Sequence, residues 1–190
     1  MASRKSRKVR IRRVIDGDSL EVKYAGLFSF LRRPFQVRLY GIDAPELAQP
    51  FGPEAREQLA SLVRGRGIRL QEVAKDRYGR TVGLVYPGSR RRECVNVAMV
   101  RSGMAWWYRR YGGRELGFPE AEAEAKTRRR GVWRDPRRSQ RPWDYRADMR
   151  RARRRRLRMQ QVRRLTVWGA AAIALTILVA LLMLMDALPW

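Results

Sequence analysis

The chain has 190 residues, enough for one domain of ordinary size plus an appendage, and carries 43 Lys+Arg against 18 Asp+Glu, a formal net charge of +25. It has no histidine and a single cysteine, Cys94. This excludes histidine-based nucleases, Ser–His–Asp hydrolases, His–metal clusters, Cys-rich zinc sites and an intramolecular disulfide. Any metal must be held mainly by oxygen, which favours Ca²⁺ or Mg²⁺ over softer ions. Residues 1–145 alone hold 33 Lys+Arg against 16 Asp+Glu, so the charge excess is not confined to a tail. Such a surface attracts polyanions, either nucleic acid or anionic lipid.

The basic arm at 1–13 lacks an apolar core region, so no cleavable signal peptide is expected. Val9–Val14 and Ser19–Tyr24 read as two strands of a hairpin joined at Asp16-Gly17-Asp18. The connection Gly26–Pro34 is long and apolar. Its Leu27, Phe28, Phe30 and Leu31, followed by Arg32 and Arg33, are expected to pack against the domain, the alternative being contact with a bilayer surface. Phe35, Val37 and Leu39 alternate with polar residues, marking a third strand buried on one face. Pro53–Arg64 has helical spacing and ends at Gly65; Ile68–Val73 and Thr81–Tyr86 are two further strands. Cys94, beside Val95, Val97 and Ala98, reads as a small buried hydrophobe, and no disulfide-linked oligomer is expected. Asn96–Ser102 and Pro119–Arg129 are helices ended by Gly103 and Gly131. Five strands with helices interleaved late predict an α+β fold, a five-stranded OB-like β-barrel with flanking helices.

Past Trp133 the composition shifts. Residues 135–144 are Pro- and Arg-rich, Arg146–Arg164 holds ten Arg against one Asp, and Leu165–Met185 is 21 residues without a charge. As a helix that stretch spans about 31 Å, which matches the hydrocarbon core of a bilayer. A buried core helix is the alternative, but little of the chain remains to cover it. The arginine run serves as a topogenic flank or a binder of anionic lipid, and the positive-inside rule sets the domain on the cytoplasmic side. The predicted division is a basic arm at 1–7, a domain at 8–134, a linker and basic juxtamembrane segment at 135–164, a single C-terminal transmembrane helix at 165–185, and a tail at 186–190.

Three short segments carry candidate chemistry: Asp16-Gly17-Asp18, Arg38-Leu39-Tyr40-Gly41-Ile42-Asp43-Ala44-Pro45-Glu46, and Asp76-Arg77-Tyr78-Gly79-Arg80. Each alone is compatible with a plain turn. In order, spacing and intervening strand pattern, the combination resembles the staphylococcal nuclease (thermonuclease) family, from about Lys8 to Trp133. The resemblance implies that Asp18 and Asp43 ligate Ca²⁺, or Mg²⁺ or another hard divalent ion. Ala44, where the family commonly has Thr, would add a backbone carbonyl. It implies that Glu46 orients or deprotonates the attacking water, and that Arg38 and Arg80 bind the phosphate and stabilise the transition state. Asp16 is either a turn residue or a carboxylate supporting the ligands. In the Trp106–Tyr111 cluster, at least one tryptophan is expected in the core, and Tyr108 and Tyr111 are candidates for substrate contact, although the local spacing departs from the family.

The implied function is in-line hydrolysis of phosphodiester bonds in DNA and/or RNA by a membrane-tethered, Ca²⁺-dependent endonuclease, with nucleic acid and membrane lipid as partners. Two alternatives stand beside it: a catalytically inactive module that binds nucleic acid or a protein at a membrane, and a basic membrane-surface scaffold.

Overall fold

Residues 6–27, 29–65, 67–88, 93–111 and 113–186 are described by a computed structural model, with the backbone alone at 115, 167, 170–176 and 178–186. Five strands close into a barrel in the order β1-β2-β3-β6-β5. They are β1 (Ser6–Val14), β2 (Ser19–Tyr24), β3 (Phe35–Leu39), β5 (Ile68–Lys75) and β6 (Thr81–Pro87). All neighbours are antiparallel except β3 and β6, which run parallel with Val37 opposite Thr81 and Arg38 opposite Val82. The expected five-stranded barrel is therefore present, and side-chain alternation explains its filling. Val9, Leu20, Val22, Val37, Leu39, Ile68, Leu70 and Val85 are all buried in the core.

Among the described residues, three helices flank the barrel, α1 (Gly52–Val63), α2 (Val95–Arg101) and α3 (Phe118–Thr127), and a fourth, α4 (Pro142–Asp186), follows them in the chain. α1 buries Ala55, Leu59 and Val63, spaced four apart and so stacked on one face. α2 contributes Asn96, fully buried, whose Oδ1 accepts from the Val85 N–H at 3.0 Å. Its Nδ2 donates to the carbonyls of Tyr40 at 2.9 Å and Gly83 at 3.1 Å. One amide thus ties α2 to the end of β3 and to β6, with its hydrogen-bonding groups satisfied as burial requires.

The sequence pattern did not reveal a second, two-stranded sheet, in which β4 (Ile42–Asp43) pairs antiparallel with β7 (Trp106–Trp107). Strands of two residues leave no periodicity to read. Trp106 and Trp107 are 4% and 7% exposed, so both belong to the interior. Cys94 sits just before α2, partly buried, and burial pushes its thiol up to about 11.

The Gly26–Pro34 connection corrects an expectation. Leu27, Phe30 and Leu31 are 86%, 71% and 72% exposed rather than packed on the domain. The barrel interior is already filled by the strands' own side chains, and the loop is pinned from outside. Lys23 Nζ donates to the Phe30 carbonyl at 3.3 Å, and the Arg32 guanidinium lies 5.5 Å from the Tyr24 ring centroid. Phe28 is outside the described residues.

The chain divides into two units, 1–144 and 145–190. Residues 135–141 are bonded into the first unit: Ser139 Oγ donates to the carbonyls of Val132 and Asp135. The 45-residue helix α4 starts at Pro142 and continues through the arginine run. Among the described residues no helix is long and apolar enough to cross a membrane. The predicted span 165–185 has its backbone within α4, but most of its side chains lie outside the described residues.

Candidate active site

Asp18 and Asp43 come from different turns and meet at one arginine. The Asp16–Ser19 turn is closed by the Ile15 N–H, which donates to the Ser19 carbonyl at 2.9 Å, and by the Asp18 N–H, which donates to Asp16 Oδ1 at 3.0 Å. Gly17 is required there by contact: a Cβ would fall 2.6 Å from Ala44 Cβ and 2.8 Å from Ala55 Cβ. Its absence lets the turn lie against both the acidic segment and α1. Asp43 is carried by β4, held in place by β7 through its pairing with Trp106.

Arg38, on β3, bridges the two acids. Its Nη1 donates to Asp18 Oδ1 at 3.0 Å and its Nη2 to Asp43 Oδ1 at 2.6 Å. Asp18 also accepts from Ser19 Oγ at 2.9 Å and, through Oδ2, from the Ala44 N–H at 3.1 Å. Asp18 and Asp43 are only 3% and 2% exposed. Burial pushes the Asp18 carboxyl up to about 7; Arg38 opposes this, while the negative charges of Asp16 and Asp43 add to it. The Arg38 charge therefore does not offset the burial of Asp18. Asp16 acts on Asp18 both as its turn partner and as a neighbouring charge.

Glu46 follows on the same segment, half-buried, with its main chain fixed by a residue the sequence reading did not single out. Gln49 is 4% exposed; its Oε1 accepts from the Glu46 N–H at 2.8 Å, and its own N–H donates to the Glu46 carbonyl at 2.8 Å. Gly52 closes over the turn so tightly that a Cβ would stand 2.0 Å from the Glu46 carbonyl oxygen. Phe51, between them, adopts φ 67, a left-handed conformation uncommon outside glycine and Asn/Asp.

Arg80 immediately precedes Thr81, whose partner on β3 is Val37, so it borders the strand that carries Arg38. Its Nε donates to Asp76 Oδ2 at 2.7 Å and its N–H to Asp76 Oδ1 at 2.9 Å. Tyr108 is joined to the acidic segment by its N–H, which donates to the Gly41 carbonyl at 2.9 Å. Its ring lies 5.4 Å from that of Tyr111 and 5.3 Å from that of Trp143. The structure thus bonds Asp18, Arg38, Asp43 and Ala44 directly, sets Glu46 on the same turn, and brings Arg80 and Tyr108 near through main-chain neighbours. Gln49 and Trp143 were missed, since a lone polar residue in a turn and a lone aromatic in a Pro/Arg-rich stretch carry no spacing signal.

A family model described as "Staphylococcal nuclease homologue" matches residues 36–135; Asp18 precedes that interval. A "Micrococcal nuclease" of Shigella flexneri is 41% identical over 141 residues, covering 70% of this chain and 77% of that protein. An "Uncharacterized endonuclease" of Escherichia coli is 37% identical over 126 residues, covering 66% and 76%. The "Probable staphylococcal-like nuclease CAN1" of Oryza sativa subsp. japonica is 40% identical over 121 residues, covering 63% of this chain and 35% of its own length. The chain therefore belongs to the staphylococcal nuclease family and is a nucleic-acid hydrolase of the endonuclease kind.

Proposed function

We propose that this nuclease depends on a hard divalent cation, Ca²⁺ in the first instance, held by Asp18, Asp43 and the carbonyl of Ala44. The observation that carries the reading is the buried Asp18–Asp43 pair, two carboxylates from different turns brought together at Arg38. The donors are all oxygen, as such an ion requires. Among the described residues no group of three or more Asp, Glu, Cys or His gathers around a common point. Two carboxylates would leave the rest of the coordination shell to carbonyl, water and substrate, as suits an ion that works on phosphates. When bound, such a cation neutralises phosphodiester charge and acidifies water.

The remaining roles fall to the chain's own groups. Arg38 and Arg80 bind non-bridging phosphate oxygens; a guanidinium fits them bidentately and stays charged at any working pH. Their contacts strengthen as negative charge builds in the transition state. Glu46 orients the attacking water and takes its proton. With no histidine available, the leaving oxygen is protonated from water. Tyr108 and Tyr111, flanked by Arg109 and Arg110, form a surface on which bases stack, which favours single-stranded or frayed substrate. The test is incubation of the whole chain with single-stranded DNA in Ca²⁺ or in chelator. Cleavage confined to Ca²⁺ supports the reading; equal cleavage in chelator ends it.

We further propose that residues 165–185 anchor the enzyme in a membrane with its domain on the cytoplasmic side. The support is 21 uncharged residues that follow ten arginines in the preceding nineteen. Deleting 165–185 should move the protein from the alkali-resistant membrane fraction to the supernatant. An unchanged distribution would exclude the anchor, and protease protection in sealed vesicles reads the orientation.

A further inference from the structure

Gln49 does more than brace one turn. Its side-chain amide is buried and both ends are used: Oε1 accepts from the Glu46 N–H at 2.8 Å, and Nε2 donates to the Gln140 carbonyl at 3.1 Å. Because one partner is an N–H and the other a carbonyl, only one orientation of the amide satisfies both. Gln140 lies past the family-matched interval, which ends at residue 135. Its segment is fastened at both sides. Ser139 Oγ donates to the Val132 and Asp135 carbonyls. Trp143 packs its ring 5.3 Å from Tyr108 and against the cluster of Phe51, Trp106 and Val132.

We propose that Gln49 is a positioning residue for Glu46, and that residues 139–143 form a clasp holding Gln49, and through it the catalytic turn, in working geometry. This rests on the reading of Glu46 as the group that orients the attacking water. Without the Gln140 carbonyl, Nε2 would be a buried donor lacking its partner, which costs about 1–3 kcal/mol. The turn would relieve that cost by opening or by rotating the amide away from Glu46. A displacement of about 1 Å in a group that orients a nucleophile lowers turnover up to about 10²-fold. A segment past the family-matched interval thereby sets the position of a group inside it.

The test uses the whole chain in detergent, with kcat and KM measured on a single-stranded oligodeoxynucleotide in Ca²⁺ and hydrogen exchange followed over residues 44–52. Gln49→Leu is expected to lower kcat about 10–100-fold while KM moves less than about threefold, because it acts on orientation and not on substrate contact. Exchange over 44–52 should accelerate in the same variant. Trp143→Ala releases the clasp from its far side with Gln49 intact, and should accelerate that exchange and lower kcat about threefold or more. Should Gln49→Leu fail to fold, Trp143→Ala decides. An unchanged kcat in Gln49→Leu, or unchanged exchange over 44–52 in Trp143→Ala, overturns the proposal. A wild-type chain that does not cleave sinks the reading of Glu46 and the positioning role with it, whereas the clasp is still decided by exchange.

Discussion

Two clusters in this molecule use the same parts to opposite ends. At the barrel, Arg38 stands between Asp18 and Asp43. Between the helices, Arg101 of α2 stands between Glu93 and Glu124 of α3. In the first cluster both acids are nearly sealed from solvent, and burial drives Asp18 toward its neutral form. In the second, Arg128 and Arg130 also bond Glu124, each at 3.2 Å, and the side chains of Arg101 and Glu93 are 35% and 38% exposed. The hydrogen bond from Arg101 and the positive charges around it hold the Glu124 carboxyl below the usual range. The carboxylates of one cluster therefore sit where water cannot screen them, and the ion pairs of the other sit where water can. Desolvated carboxylates are what a bound cation can relieve, whereas a screened ion pair only staples two helices.

The sharpest way to break this comparison is to remove acid from the first cluster. Asp43→Ala should lower cleavage at least about 10²–10³-fold, the scale set by losing one electrostatic contributor to a transition state. Thermal stability should hold or rise, because one of two buried like charges is gone. Full activity in this variant would move the cation site elsewhere, and a collapse in stability would make Asp43 structural. Arg38→Leu probes the same cluster from the other side. It removes the guanidinium that both buried carboxylates share and should cost about 3–5 kcal/mol in urea unfolding. Added Ca²⁺ should restore part of that loss, because a ligand bound only by the folded form stabilises it by mass action. A destabilisation that Ca²⁺ cannot touch would separate Arg38 from the cation site.

The contrast also explains what was legible in the sequence. The barrel strands could be read because Val37 and Leu39, or Ile68 and Leu70, alternate with polar residues along one buried face. Asp18, Asp43 and Glu46 could be nominated because their order and spacing resemble a known family. That Arg38 is bonded to Asp18 and Asp43 could not be read, since one of its partners lies twenty residues away and the bond depends on how two turns meet. The same holds for Gln49 and Gln140, ninety-one residues apart. The Gly26–Pro34 loop failed for a different reason. Apolar composition says that a segment gains by burial, not that the fold offers it a face, and here Leu27, Phe30 and Leu31 remain outside.

Smaller effects should come from the screened side of the comparison. Arg101→Leu should cost about 1 kcal/mol or less, after solvent screening of side chains this exposed, and leave cleavage within about twofold. A larger loss of activity would mean that the helix staple is coupled to the site.

The pair Asp76–Arg80 lies between the two extremes, and pH separates its contribution from both. Burial raises the Asp76 pKa, but bonds from the Arg80 guanidinium, the Arg80 and Tyr78 N–H groups and the Arg80 charge outweigh it, so the folded pKa lies below the ordinary 3.8. A carboxyl depressed on folding stabilises the protein fully above its unfolded pKa and loses that contribution as pH falls through the folded value. Asp76→Asn should therefore cost about 1 kcal/mol at neutral pH, and the gap between variant and wild type should narrow progressively below pH 3.8. Urea midpoints for both proteins across that range measure it. A gap that stays constant into acid would mean that the Asp76 turn is held by its shape and its main-chain bonds, with the ionised carboxylate contributing nothing to Arg80.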